Sequence, residues 1–149
     1  MQTEPSLILL DTHVWLWLAS GVSKGISPSL RTLIDKLLSK QAVKISVISC
    51  WEIGNLATKN KIDFEEGVQK WIYRALALPG LGEEPIDAQI ALDSTMLKDF
   101  HGDPADRIIV TTAKKIGATL ITYDKEILSF AKKTASPLPI YEKILLRPF

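Results

Sequence analysis

Four acidic residues are spaced so that their carboxylates could lie together at one position. Asp11 ends the apolar run SLILLD, Glu52 lies just after VKISVIS, and Asp124 follows LIT by one residue. Asp106 opens the segment that leads into LIT. Carboxylate oxygens without thiolates or clustered imidazoles suit a hard cation such as Mg²⁺ or Mn²⁺. Such an ion binds phosphate oxygens and activates water, so the pattern indicates phosphate-ester hydrolysis.

Each of these acids, taken singly, could instead cap or begin a helix. In HGDPADR, Asp103 suits an N-cap and Pro104 the first helical position, with Asp106 in the first turn. Asp63 and Glu66 repeat an acidic helix start with no strand before them. The prediction of a site therefore depends on the joint recurrence of acids after strands.

The elements that must position the acids alternate between strand and helix. Continuous apolar or β-branched runs predict buried strands of a parallel sheet. The predicted strands are 6–11, 43–49, a short one near Pro85 and Ile86, 118–122 and 138–146. Helices are predicted over 12–20, from Pro28, from a Ser49–Glu52 capping box, from Asp63, from Asp87, from Asp103 to a stop at Gly117, and over 124–133.

This alternation predicts an α/β sandwich whose mostly parallel sheet has right-handed crossovers. Ligands of such sheets bind beyond the carboxyl ends of the strands. That rule assigns Asp11, Glu52 and Asp124 to one edge. It does not assign Asp106, because its helix precedes the strand rather than following it.

Composition limits the class of protein. The 149 residues, 46% hydrophobic and with a formal charge of +1, predict one soluble domain over 1–149 and exclude a strongly basic nucleic-acid binder. The single cysteine excludes an intramolecular disulfide and fits a reducing compartment. No signal peptide or membrane-length apolar run is visible, so we expect a cytoplasmic protein without a membrane partner.

Four stretches together resemble a PIN domain, and more particularly the toxin ribonuclease of bacterial VapBC toxin–antitoxin pairs. They are LLDTHVWLW, SVISCWEI, DPADRIIVTTA and ATLITYD, in the family's order and approximate spacing. The resemblance implies a three-layer α/β/α sandwich with about five strands. It also implies an endoribonuclease that uses Mg²⁺ or Mn²⁺ to activate water, leaving 3′-hydroxyl and 5′-phosphate ends.

The resemblance also implies residue roles and partners. Asp11, Glu52, Asp106 and Asp124 correspond to the catalytic, metal-binding acids, and Asp103 is a lower-ranked metal ligand. The implied partners are an RNA substrate, a small cognate antitoxin and a second copy of the chain in a homodimer.

Three other functions stay open at this point. They are a catalytically silent PIN-type module that binds RNA or protein, a housekeeping RNA-processing nuclease, and a haloacid-dehalogenase-like phosphatase. The phosphatase is disfavoured because it needs a second Asp where His13 stands. Near the acids, Thr12 is expected to hydrogen-bond to a site carboxylate, and Arg107 to form a salt bridge or meet a phosphate.

Overall fold

A computed structural model describes residues 4–22, 25–100 and 102–133. Its strands are β1 (Ile8–Leu10), β2 (Val43–Ser46), β3 (Leu81–Glu84) and β4 (Thr119–Ile121). Its helices are α1 (Thr12–Ala19), α2 (Pro28–Ser39), α3 (Ile48–Thr58), α4 (Val68–Leu76), α5 (Ala88–Thr95), α6 (Pro104–Ile116) and α7 (Lys125–Lys133).

The strands form one parallel sheet in the order β3-β2-β1-β4. Strand β1 is central and pairs with both β2 and β4, so Leu10 has Ile45 on one side and Ile121 on the other. The chain moves outward from β1 in one direction to β2 and β3, and then returns to the other side for β4. The strand order therefore reverses between β1 and β4, where parallel α/β sheets bind their ligands.

Helices cover both faces of the sheet because successive strand residues point to opposite sides. Ile8 and Leu10 pack into a core on one face, together with apolar residues of α1, α2 and α4. Leu9 and Leu120 pack on the other face against residues of α6 and α7. The protein is thus a three-layer α/β/α sandwich with a parallel sheet, as predicted.

Helix α6 has the ends that its sequence predicts. The Asp103 carboxylate accepts a hydrogen bond from the Asp106 N–H at 2.8 Å, and Pro104 occupies the first turn. At the other end Gly117 adopts the left-handed conformation with φ of 70°, which favours glycine. Because Gly117 and Ala118 lead directly into β4, α6 runs back along the sheet from its first turn to the start of that strand.

Several predicted boundaries are wrong. Strand β3 ends at Glu84, just before the predicted position at Pro85 and Ile86. Helix α4 begins at Val68 rather than at Asp63. Helix α3 begins at Ile48 without a side-chain cap, so the predicted Ser49–Glu52 capping box does not form. The predicted strand at 138–146 lies outside the described residues, within which the sheet has 4 strands instead of about five.

Among the described residues Arg107 does not form the expected salt bridge, because its guanidinium binds backbone carbonyls instead. Its guanidinium donates to the carbonyl oxygens of Ser94 at 2.8 Å and Leu97 at 3.1 Å, and to that of Phe100. These bonds tie the end of α5 and the following loop to the first turns of α6. Arg107 therefore positions the segment that precedes Asp103.

Replacing Arg107 by Met is expected to destabilise the fold by about 2 kcal/mol, because carbonyls around the buried Phe100 lose their charged donor. The midpoint of thermal unfolding should fall by about 4–8 °C. Arg31→Met is the matched control, since Arg31 makes an exposed i,i+4 pair with Asp35. Equal melting temperatures for the two variants would contradict this role for Arg107.

None of the helices in the described part of the chain has the length and apolar character that a membrane span requires.

Candidate active site

Asp11 is the buried centre of the site. It follows β1 directly and its side chain is only 3% exposed. One carboxylate oxygen accepts from the Thr12 N–H at 2.8 Å, and the other accepts from the Thr122 hydroxyl at 2.6 Å. Burial raises the pKa of Asp11 above its ordinary value, although the hydrogen bonds from Thr122 and Thr12 oppose the change.

Glu52 reaches the site from the second turn of α3. Its carboxylate accepts a hydrogen bond from the Thr12 hydroxyl, which lies 2.8 Å from the Ser49 hydroxyl. A threonine hydroxyl has one hydrogen to donate, so with Glu52 ionised Ser49 must donate to Thr12. Burial raises the pKa of Glu52, and the charges of Asp11 and Asp103 raise it further. The bond that was expected from Thr12 to a site carboxylate is therefore present.

Asp106 reaches the site from the first turn of α6. Together with Asp11 and Glu52 it forms a group in which one carboxylate oxygen from each residue lies within 4.8 Å of the others. Burial, together with the nearby charges of Asp103 and Asp124, raises the pKa of Asp106 to about 8. All three acids of the group therefore have raised pKa values.

Asp124 and Asp103 lie beside this group rather than within it. The Asp124 carboxylate accepts from the Ile127 N–H at 2.9 Å and so caps α7. Its charge still acts on Asp11 and Asp106. Asp103 is exposed and caps α6, with its charge acting on Asp106 and Glu52. Of the five predicted acids, the structure gathers three closely and places the other two within electrostatic range.

The donor set fits a divalent cation. Three carboxylates this close repel one another when ionised, and burial removes the water that would screen them. Their pKa values are accordingly raised, which means that the metal-free fold favours the protonated acids. A hard cation with oxygen ligands would favour the ionised acids and neutralise their repulsion.

Two hydroxyl residues of this site were not predicted. Thr122 is fully buried and links the site acids, donating to Asp11 and accepting from the Asp124 N–H at 3.0 Å. Ser49 is also buried and bonds to Thr12. In the sequence, Thr122 marks the end of a predicted strand and Ser49 the cap of a predicted helix. Their spacing alone therefore does not predict contact with a carboxylate. For Thr122, the pairing of β1 with β4 does predict this contact. Leu10 pairs with Ile121, so Asp11 and Thr122, the residues that follow them, are neighbours.

The tryptophans of α1 have different environments. Trp15 is fully buried and belongs to the core. Trp17 is half-buried, and its ring lies 5.4 Å from that of Tyr123 and 6.3 Å from that of His13. These three rings stand beside the acids, in a position that helical spacing did not indicate.

Fold and site together define an α/β protein with an acidic, cation-fitting centre at the switch point of a parallel sheet. The chain belongs to the PIN domain family, whose model matches residues 8–133.

The chain is similar to Ribonuclease VapC22 of Mycobacterium tuberculosis. The two are 30% identical over 123 residues, which cover 82% of this chain and 90% of that protein. It is also similar in fold to a chain in the crystal structure of VapBC2 from Rickettsia felis bound to a DNA fragment from their promoter. That likeness has a TM-score of 0.61 at 18% identity and covers 83% of this chain and 92% of that one.

Proposed function

We propose that the protein is a metal-dependent endoribonuclease acting as the toxin of a VapBC-type toxin–antitoxin pair. The observation that carries the proposal is the group of Asp11, Glu52 and Asp106 at the sheet's switch point in a member of the PIN domain family. The 30% identical ribonuclease relative and the fold shared with a VapBC chain support the toxin assignment.

Mg²⁺ or Mn²⁺ is the proposed cofactor, with Asp11, Glu52 and Asp106 as ligands. Asp124 is proposed as a further catalytic ligand, and Asp103 as a weaker one. When bound, the ion would supply a Lewis acid for the phosphodiester and lower the pKa of attacking water.

Residues of the chain itself position the carboxylates of the site, and one of these carboxylates can hold a proton. Thr122 and the Thr12 N–H fix the Asp11 carboxylate from both sides, and the Thr12 hydroxyl orients Glu52. The pKa of about 8 lets Asp106 hold a proton at neutral pH in the metal-free protein. No side chain is required as a nucleophile, so His13 is left outside the catalytic set.

The proposed partners follow from this function. They are RNA as substrate, a small antitoxin that covers the acidic site, and a second copy of the chain in a homodimer. We also propose that the protein acts in the cytoplasm, because its proposed substrate is intracellular RNA.

The test is RNA hydrolysis by the purified full chain. With Mg²⁺ or Mn²⁺ it should cut structured RNAs internally, leaving 5′-phosphate and 3′-hydroxyl ends, and excess chelator should stop the reaction. Co-expression with the product of a small adjacent open reading frame should give an inactive complex. Absence of chelator-sensitive cleavage would refute the enzymatic assignment. Chelator-sensitive cleavage that no such product inhibits would favour a housekeeping nuclease.

A further inference from the structure

A small cavity opens directly beside the acidic site and is walled by aromatic rings. Its volume is about 260 Å³, and its lining residues are Asp11, His13, Trp17, Tyr123 and Asp124. Pockets for drug-sized ligands measure roughly 300–1,000 Å³, so this one suits a single planar ring system. The acidic hydrolysis site does not itself require these rings.

The rings form an angular wall instead of a packed stack. The Trp17 and Tyr123 planes are inclined by 58°, and the His13 and Trp17 planes by 53°. A planar ligand can therefore lie against one ring face while its edge meets another, as aromatic pairs prefer. His13 is exposed, and Trp17 and Tyr123 are half-buried, so the wall is accessible from solvent.

The backbone at Gly25 packs against the Trp17 ring. A Cβ atom at Gly25 would lie 2.7 Å from the Trp17 ring carbons, so only a glycine allows the backbone to lie against this ring. The φ of 107° at Gly25 is also one that favours glycine. This contact restricts the indole, and a side chain that is already restricted loses less entropy when a ligand binds.

We propose that this aromatic cavity binds one unpaired nucleobase of the RNA substrate, next to the phosphate at the acidic site. The inference rests on the proposed function and adds a base-binding subsite to it. Asp11 lines the cavity and belongs to the carboxylate group, so a strand with its phosphate at the acids has a neighbouring base at the rings. Aromatic side chains bind unpaired RNA bases by stacking, which gives the three rings beside the acids a role in substrate binding.

The experiment uses single-stranded octaribonucleotides that carry 2-aminopurine at each position in turn. The protein is the full chain with Mg²⁺ in the Asp106→Asn background, which should keep the RNA intact. Stacking should quench 2-aminopurine at one position of the bound strand. Tyr123→Leu and His13→Ala should abolish that quenching and weaken binding about tenfold, in line with stacking energies in single-strand binders.

Trp51→Leu is the matched control, because Trp51 is 61% exposed and does not line the cavity. An abasic nucleotide at the quenched position should weaken binding to the parent protein but not to Tyr123→Leu, as expected for partners in one contact. His13→Ala removes an exposed side chain and keeps the test valid if Tyr123→Leu unfolds.

The outcomes separate this inference from the proposed function. If the wild type cleaves RNA but both cavity variants bind like Trp51→Leu, the base-binding subsite alone is refuted. If the cavity variants no longer bind a co-expressed antitoxin but keep their RNA affinity, the cavity binds a protein side chain and the inference is overturned. If the wild type neither binds nor cleaves RNA, the proposed function itself has failed.

Discussion

Replacing Asp106 by Asn should lower RNA cleavage roughly a thousandfold, whereas Asp103→Asn should cost less than about tenfold. Losing a metal-binding carboxylate removes several kcal/mol of charge stabilisation from the transition state, and each 1.36 kcal/mol is a factor of ten in rate. Asp106 contributes an oxygen to the three-carboxylate group, while Asp103 lies outside that group, caps α6 and acts on the group through its charge.

The Asp106→Asn and Asp103→Asn variants are well matched, because asparagine preserves the local structure at position 103. Asparagine caps helices about as well as aspartate, so α6 should begin normally in the Asp103→Asn protein. The measurement is the initial rate of cleavage at saturating Mg²⁺, with circular dichroism to verify folding. Equal losses for the two variants would contradict the ranking of Asp106 above Asp103. Full activity of Asp106→Asn would remove it from the proposed catalytic set.

Without divalent ions the protein should become less stable as the pH rises from about 4 to 8. Asp106 has a pKa of about 8 in the folded protein and an ordinary value of 3.8, and those of Asp11 and Glu52 are also raised. Within this window the folded state holds protons that the unfolded state has released, so stability decreases with increasing pH. The unfolding temperature in chelator should be highest near the acidic end of this window.

Mg²⁺ should reverse the trend, because it binds the ionised acids. At about 100 times its dissociation constant it should contribute about 2.7 kcal/mol, or roughly 5–10 °C in unfolding temperature. The gain should be larger at pH 8 than at pH 6, since fewer protons must be displaced.

Asp106→Asn should flatten the pH dependence in chelator, while Asp35→Asn, at a residue 55% exposed, should leave it unchanged. Calorimetric scans at several pH values provide the measurement. A metal-free protein that grows more stable towards pH 8 would contradict the raised pKa values.

The sequence predicted elements best where one segment contains its own start and stop signals. DPAD and Gly117 delimit α6 correctly because the cap, the proline and the left-handed glycine act locally. The Ser49–Glu52 capping box failed because Thr12, from a distant segment, binds both side chains. A pattern within one segment contains no information about a side chain, such as that of Thr12, that comes from a distant segment.

The position of Asp106 was predicted only through the family resemblance, yet topology also explains it. A helix that packs along the strand it leads into runs opposite to that strand and therefore begins at its carboxyl edge. Helix α6 meets β4 through Gly117 and packs Ile109 against the same core as Leu120, so its first turn lies beside Asp11. The catalytic and metal-binding roles of all five acids remain predictions.

The hydrogen bond between Asp11 and Thr122 has a consequence for synthesis of the protein. It joins residues 111 positions apart, and it depends on β4 pairing with β1. A chain emerging from the ribosome exposes Asp11 long before β4 exists, because synthesis proceeds from the N-terminus. The nascent chain therefore lacks this hydrogen bond until Thr122 has been synthesised. We expect the complete site to form only after β4 has left the ribosome and paired with β1.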